Sequence, residues 1–107
     1  MSDRNKFDIG KLDELIHSRL RLGVMTYLAD AEVADFTELK EALDVTQGNL
    51  SVQLRKLEEA GYVSIEKSIF NRKSRTQARL TAAGHKAFAD YLAVLGSLVG
   101  GRIGDDG

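Results

Sequence analysis

The chain has 107 residues, 43% of them apolar and 29% charged, with a net charge of −1, which suits one small globular domain with a modest core. It contains no cysteine, which excludes a disulfide framework, a thiolate zinc site and thiol-based redox sensing. No stretch reaches the about 20 apolar residues of a membrane span, and the N-terminal MSDRNKFDIG has no signal-peptide core, so a cytoplasmic location is expected.

Residues 1–10 read as a flexible N-terminus and residues 11–99 as one folded domain. From Lys11 to Asp30, Leu12, Leu15, Ile16, Leu20, Val24, Met25 and Leu28 recur at three- and four-residue steps, predicting a long first helix. Asp35 and Glu38 form a capping-box pair ahead of a short helix with Phe36, Leu39, Ala42 and Leu43 on one stripe. Asp44-Val45 makes a turn, and Thr46 caps the next helix, which runs to Ala60 and stops at Gly61.

Alternation over residues 62–69 predicts a strand, Asn71 to Arg75 a turn, and Thr76 to Leu80 a second strand. Thr81 caps a final helix from Ala82 to Val99, and the glycine-rich, acidic residues 100–107 read as a disordered tail. The order is helix, helix, helix, hairpin, helix.

Net charge says little, but its distribution is uneven. Between Arg55 and Arg79 seven Lys or Arg stand against three acids, a balance of +4 that leaves −5 for the rest. Such a split suits one face for a polyanion, although scattered loop charges produce the same count.

Position favours the polyanion. On the helix after Thr46, Leu50, Leu54 and Leu57 share one face, while Gly48, Val52, Arg55 and Lys56 lie opposite, flanked by Asn49 and Ser51. A glycine and short polar groups let a helix approach base edges closely. Asn49 and Gln53 suit adenine, Arg55 suits guanine or a phosphate, and Val52 suits a thymine methyl. Thr46, Gln47 and Lys56 are candidates for phosphate contacts. The same pattern also fits an ordinary amphipathic helix in a three-helix bundle.

The hairpin tip, Asn71, Arg72, Lys73, Ser74 and Arg75, could reach an adjacent minor groove or its phosphates. The outer helices carry Leu12, Leu15, Ile16, Phe88, Tyr91, Leu92, Leu95, Leu98 and Val99, more apolar surface than one small core needs. That excess points to a second copy, the alternative being that both helices cover a monomeric core. His17 and His85 make a poor metal site, no serine or threonine stands in a nucleophile pattern, and no catalytic cluster or cofactor site is found.

Three runs carry a resemblance: Phe36-x-x-Leu39-x-x-Ala42-Leu43-x-Val45; Asn49-Leu50-Ser51-x-x-Leu54-x-x-Leu57-Glu58-x-Ala60-Gly61-Tyr62-Val63; and Arg79-Leu80-Thr81-x-x-Gly84. Together they resemble the winged-helix transcriptional regulators, nearest the MarR and ArsR families, over roughly residues 12–95. The resemblance implies an α+β, mostly α fold: a winged helix-turn-helix with a three-helix core, a two-stranded β-wing and a C-terminal dimerisation helix. It also implies a homodimer joined through the first and last helices (11–30 and 82–99), with 47–60 the recognition helix and 70–76 the wing tip. Members are often repressors tuned by a ligand, a metal or oxidation; lacking cysteine, this chain is left with a small organic effector, or none. The expectation is therefore a non-enzymatic regulator of double-stranded DNA, the alternative being a winged-helix module that binds protein instead.

Overall fold

The computed structural model describes Gly10 and residues 12–106, with side chains as far as Val99. Its elements run α1 (Arg19–Ala31), β1 (Val33–Asp35), α2 (Phe36–Leu43), α3 (Gln47–Glu59), β2 (Val63–Phe70), β3 (Lys73–Leu80) and α4 (Ala82–Asp106).

The first helix begins later than its apolar period suggests. Residues 12–17 form a turn, because the Asp13 carboxylate accepts from the amides of Leu15 at 2.9 Å and Ile16 at 3.3 Å. A short acid that captures nearby amides competes with helix formation. Ser18 is then extended, with φ −147° and ψ 133°, and α1 starts after it. The apolar residues of the turn still face inward, and Ile16 is fully buried.

The helix-turn-helix unit follows from local chemistry. The Asp35–Glu38 capping box forms, with the Asp35 amide donating to Glu38 Oε1 at 3.3 Å. Asp44 takes a left-handed conformation to end α2, and Thr46 Oγ1 then accepts from the Asn49 amide at 3.1 Å to start α3. At the far end of α3 the Tyr62 amide donates to the Leu57 carbonyl at 3.0 Å and the Gly61 amide to Glu58 at 2.9 Å. Gly61, at φ +83°, makes this paired termination possible.

A third strand, not expected from the sequence, joins the hairpin. The antiparallel sheet has the order β1-β3-β2, with Ala34 opposite Ala78 and Ala78 opposite Ile65. The core lies between this sheet and the helices: Met25 and Leu28 of α1, Leu39 of α2, Leu50, Leu54 and Leu57 of α3, and Val63 and Leu80 of the strands are buried. Each such leucine contributes about 1.5–3 kcal/mol by leaving water.

Beyond the pairing with β1 the β2–β3 hairpin projects alone as the wing. Its turn is shorter than expected: only Asn71 and Arg72 lie outside the strands, at φ 54° and 66°. Two consecutive positive φ values are the geometry of the tightest hairpin connection, whose twist matches that of its strands. Lys73, Ser74 and Arg75 therefore belong to β3.

α4 begins with Thr81, whose Oγ1 accepts from the Gly84 amide at 2.9 Å and donates to the Gly61 carbonyl at 2.5 Å. The helix runs in backbone to Asp106, past the Val99 expected as its end. Glycine weakens a helix by about 1 kcal/mol but does not end one, and the chain has no proline. The expectation for residues 1–10 lies outside the described residues except at Gly10.

Candidate nucleic-acid interface

α3 turns the expected residues outward. Gly48, Asn49, Val52, Arg55 and Lys56 are exposed, Val52 by 43%, and Ser51 is half-buried at the edge. A Cβ added to Gly48 would meet nothing within 4 Å, so this end of the helix is open to close approach. Thr46 and Gln47 are exposed at its start, where unpaired amides and the helix dipole favour a phosphate.

Gln53 is placed differently from its neighbours. It is half-buried; its Oε1 accepts from Arg21 at 2.5 Å and its Nε2 donates to Asn49 Oδ1 at 3.0 Å. Its amide is thus engaged within the protein. Arg21, which has no sequence signature of its own, becomes a neighbour of the outer face of α3 only through the packing of α1 on α3.

The wing stands beside α3. Gln47, Ser51 and Arg55 share a shallow cleft of about 350 Å³ with Lys67 of β2 and Thr76 of β3. This brings Lys67, which flanks the basic hairpin in sequence, next to α3. An exposed lysine on a strand has no local signal that separates it from a solvated charge.

At the wing tip Asn71, Arg72, Lys73 and Ser74 are exposed. Arg72 holds a left-handed conformation, which costs a residue with a Cβ about 1–2 kcal/mol and would suit glycine better. Arg75 is not at the tip. It is half-buried at the wing's base, its guanidinium 4.9 Å from the Phe70 ring centroid and its Nε 3.7 Å from Asp35 Oδ1. At that distance Asp35 offers charge but no hydrogen bond, and the buried Nε has no hydrogen-bond partner among the described residues.

Of the residues expected at a dimer interface, Ile16 and Tyr91 are buried inside the chain's own core, 0% and 2% exposed. Tyr91 packs there because its hydroxyl reaches His17 Nδ1, at 2.8 Å. Leu12, Leu15, Phe88 and Leu95 are partly buried against the same core, and Leu98 is half-buried. Leu92 and Val99 are 47% and 53% exposed. Among the described residues no group of three or more His, Asp and Glu could hold a metal ion, and no helix is long and apolar enough to cross a membrane.

Residues 20–99 match the family model for the winged helix DNA-binding domain. The chain belongs to that family. This winged-helix protein is 35% identical over 79 residues to the uncharacterised protein MJ0432 of Methanocaldococcus jannaschii, a match covering 74% of this chain and 86% of the relative. Its structure superposes on a transcriptional regulator homologue from Pyrococcus horikoshii OT3 with a TM-score of 0.79 and 31% identity, covering 84% and 89% of the two chains. A protein from Enterococcus faecalis V583 assigned to the MarR family of transcriptional regulators gives a TM-score of 0.68 and 31% identity, covering 86% and 81%. The winged-helix protein is thus a DNA-binding regulator, not an enzyme.

Proposed function

We propose that the protein is a sequence-specific, cytoplasmic repressor that binds a near-palindromic operator as a homodimer. One observation carries this reading: the exposed face of α3 and the basic wing look to the same side, with Arg55 and Lys67 lining one cleft between them. α3 would enter a major groove, with Asn49, Ser51, Val52 and Arg55 near base edges and Thr46, Gln47 and Lys56 near phosphates. Arg72 and Lys73 of the wing would meet the neighbouring minor groove or its backbone.

Dimerisation is supported by the apolar side chains left at the surface of α4, Leu92 and Val99, continuous with the half-buried Leu95 and Leu98. In such a dimer two α3 helices would read half-sites about 34 Å apart. A small organic effector is a further part of the proposal. The DNA binding of Bordetella bronchiseptica BpsR, which shares the fold at 12% identity, is regulated by 6-hydroxynicotinic acid.

The test is fluorescence anisotropy of a labelled random duplex titrated with protein at several salt concentrations, beside an Arg72→Ala/Arg75→Ala double variant and with light scattering of the free protein. Binding that weakens steeply with salt, weakens further in the double variant and comes from a dimer supports the reading. Absence of binding at low salt would turn attention to a protein partner, for which the exposed Ile69 and Phe70 of the wing, 79% and 57% accessible, offer an apolar contact.

A further inference from the structure

Arg21, Gln53 and Asn49 form a hydrogen-bonded line from α1 to the exposed flank of α3. Arg21 Nε donates to the Leu15 carbonyl at 2.6 Å and Nη1 donates to Gln53 Oε1 at 2.5 Å; Gln53 Nε2 donates in turn to Asn49 Oδ1 at 3.0 Å. The direction of this line is fixed by chemistry. A guanidinium has donors only, so the Gln53 atom that faces it must be the oxygen. The Gln53 nitrogen then points along the helix, and the Asn49 atom that meets it must also be an oxygen.

Asn49 is left with its NH2 group, two donors, at an exposed position in the first turn of α3. An unconstrained asparagine reads adenine by accepting from N6 and donating to N7 at once. With its oxygen held on the Gln53 side, Asn49 keeps one lone pair uncommitted but is oriented to present its two donors ahead of the acceptor that adenine N6 needs. Guanine offers two acceptors, N7 and O6, on the same edge.

Resting on the DNA-binding reading above, we infer that Arg21 is a positioning residue for base specificity, which through Gln53 fixes Asn49 as a donor and so makes it select guanine over adenine. Arg21 touches no base itself. Its contact with the Leu15 carbonyl also ties the line to the turn at residues 12–17. Without Arg21 both amides are free to rotate. With Gln53→Glu the Arg21 contact survives, but position 53 offers only acceptors. The Asn49 nitrogen must then turn inward and its oxygen outward, favouring a base that presents a donor, adenine N6 or cytosine N4.

The experiment is selection of bound sequences from a randomised duplex pool, with the base frequency at each position read by sequencing. Wild type is compared with Asn49→Ala, Arg21→Ala, Arg21→Lys and Gln53→Glu, each first shown to be folded by circular dichroism and melting. Asn49→Ala identifies the position that Asn49 reads by flattening it, and wild type selects guanine there. Arg21→Ala lowers the guanine-over-adenine ratio at that position by about fivefold or more while the salt slope stays unchanged, since no phosphate contact is lost. Arg21→Lys, again a pure donor, keeps the guanine preference, and Gln53→Glu moves it to adenine or cytosine. The inference is overturned if wild type selects adenine there, if Asn49→Ala flattens no position, or if folded Arg21→Ala and Gln53→Glu keep the wild-type preference. A wild type that enriches no sequence overturns the sequence-specific reading on which the inference rests, which separates the two failures.

Discussion

The Arg75 guanidinium is held over the Phe70 ring, 4.9 Å from its centroid, while its Nε faces Asp35 of β1 at 3.7 Å. An exposed cation–ring contact is worth about 0.5–1 kcal/mol and a surface ion pair of this kind about as much or less. Together they tie the wing's outer strands to the start of α2. Phe70→Ala, which removes no charge, is therefore expected to weaken binding to specific and random duplexes alike, by about threefold to fivefold. Arg75→Ala should do the same, with the double variant losing less than the sum. Unchanged affinity in Phe70→Ala by anisotropy would return Arg75 to the role of a simple phosphate contact.

Arg55 has no charged partner among the described residues and lines the cleft between α3 and the wing. Arg55→Ala is expected to cost about 1–3 kcal/mol on the selected operator and to relax base preference at one position. Competition titrations with operator and random duplexes decide the matter. Equal losses on both would leave Arg55 a backbone contact.

Gly84 lies against the Tyr62 backbone so closely that an added Cβ would stand 2.0 Å from the Tyr62 carbonyl oxygen. Backbone on both sides leaves nothing flexible to yield. Gly84→Ala is expected to destabilise the fold by about 1–3 kcal/mol or more, which lowers the melting temperature by several degrees in a domain of this size. A melting curve unchanged from wild type would contradict the close approach.

The Tyr62 hydroxyl donates to Asp13 Oδ2 at 2.6 Å, and this bond, then partial burial and the charge of Asp13, push its pKa up from 10.0 to about 12. A raised folded-state pKa means that the folded form holds the proton more tightly. The added stability is complete below pH 10 and is lost as pH rises from there through about 12. Tyr62→Phe is expected to be about 1 kcal/mol less stable near neutral pH. The difference between the two proteins should shrink across that window in denaturant titrations. A constant difference would mean that the phenol is not the titrating group.

The parts of the fold written in local chemistry were legible in the sequence. The Asp35–Glu38 and Thr46 caps, the Gly61 stop and the Thr81 cap act within three or four residues, and each lies where its side chain places it. The leucine stripe of α3 was equally readable, because burial follows the helical period. What depended on distant partners was not. Val33–Asp35 is too short to signal a strand and exists because β3 offers it a ladder. The helical period carried through residues 12–17, yet Asp13 prefers nearby amides and the Tyr62 hydroxyl to a helix. At the candidate site the outward residues of α3 were found by their angle, whereas the engagement of Gln53 by Arg21 spans 32 positions and leaves no pattern.

The junction of Gly61, Tyr62, Thr81 and Gly84 has a mechanical meaning. Thr81 donates its hydroxyl proton to the Gly61 carbonyl and its amide proton to the Tyr62 carbonyl, and Gly84 rests on the same stretch. The last turn of α3 and the first turn of α4 are thereby clamped without slack, like two levers on one pin. In a pair of chains joined through α4, the crossing of the long helices would dictate how far apart the two α3 helices stand. Whatever tilts α4 by a few degrees would then retune the spacing of the half-sites without touching a single DNA contact.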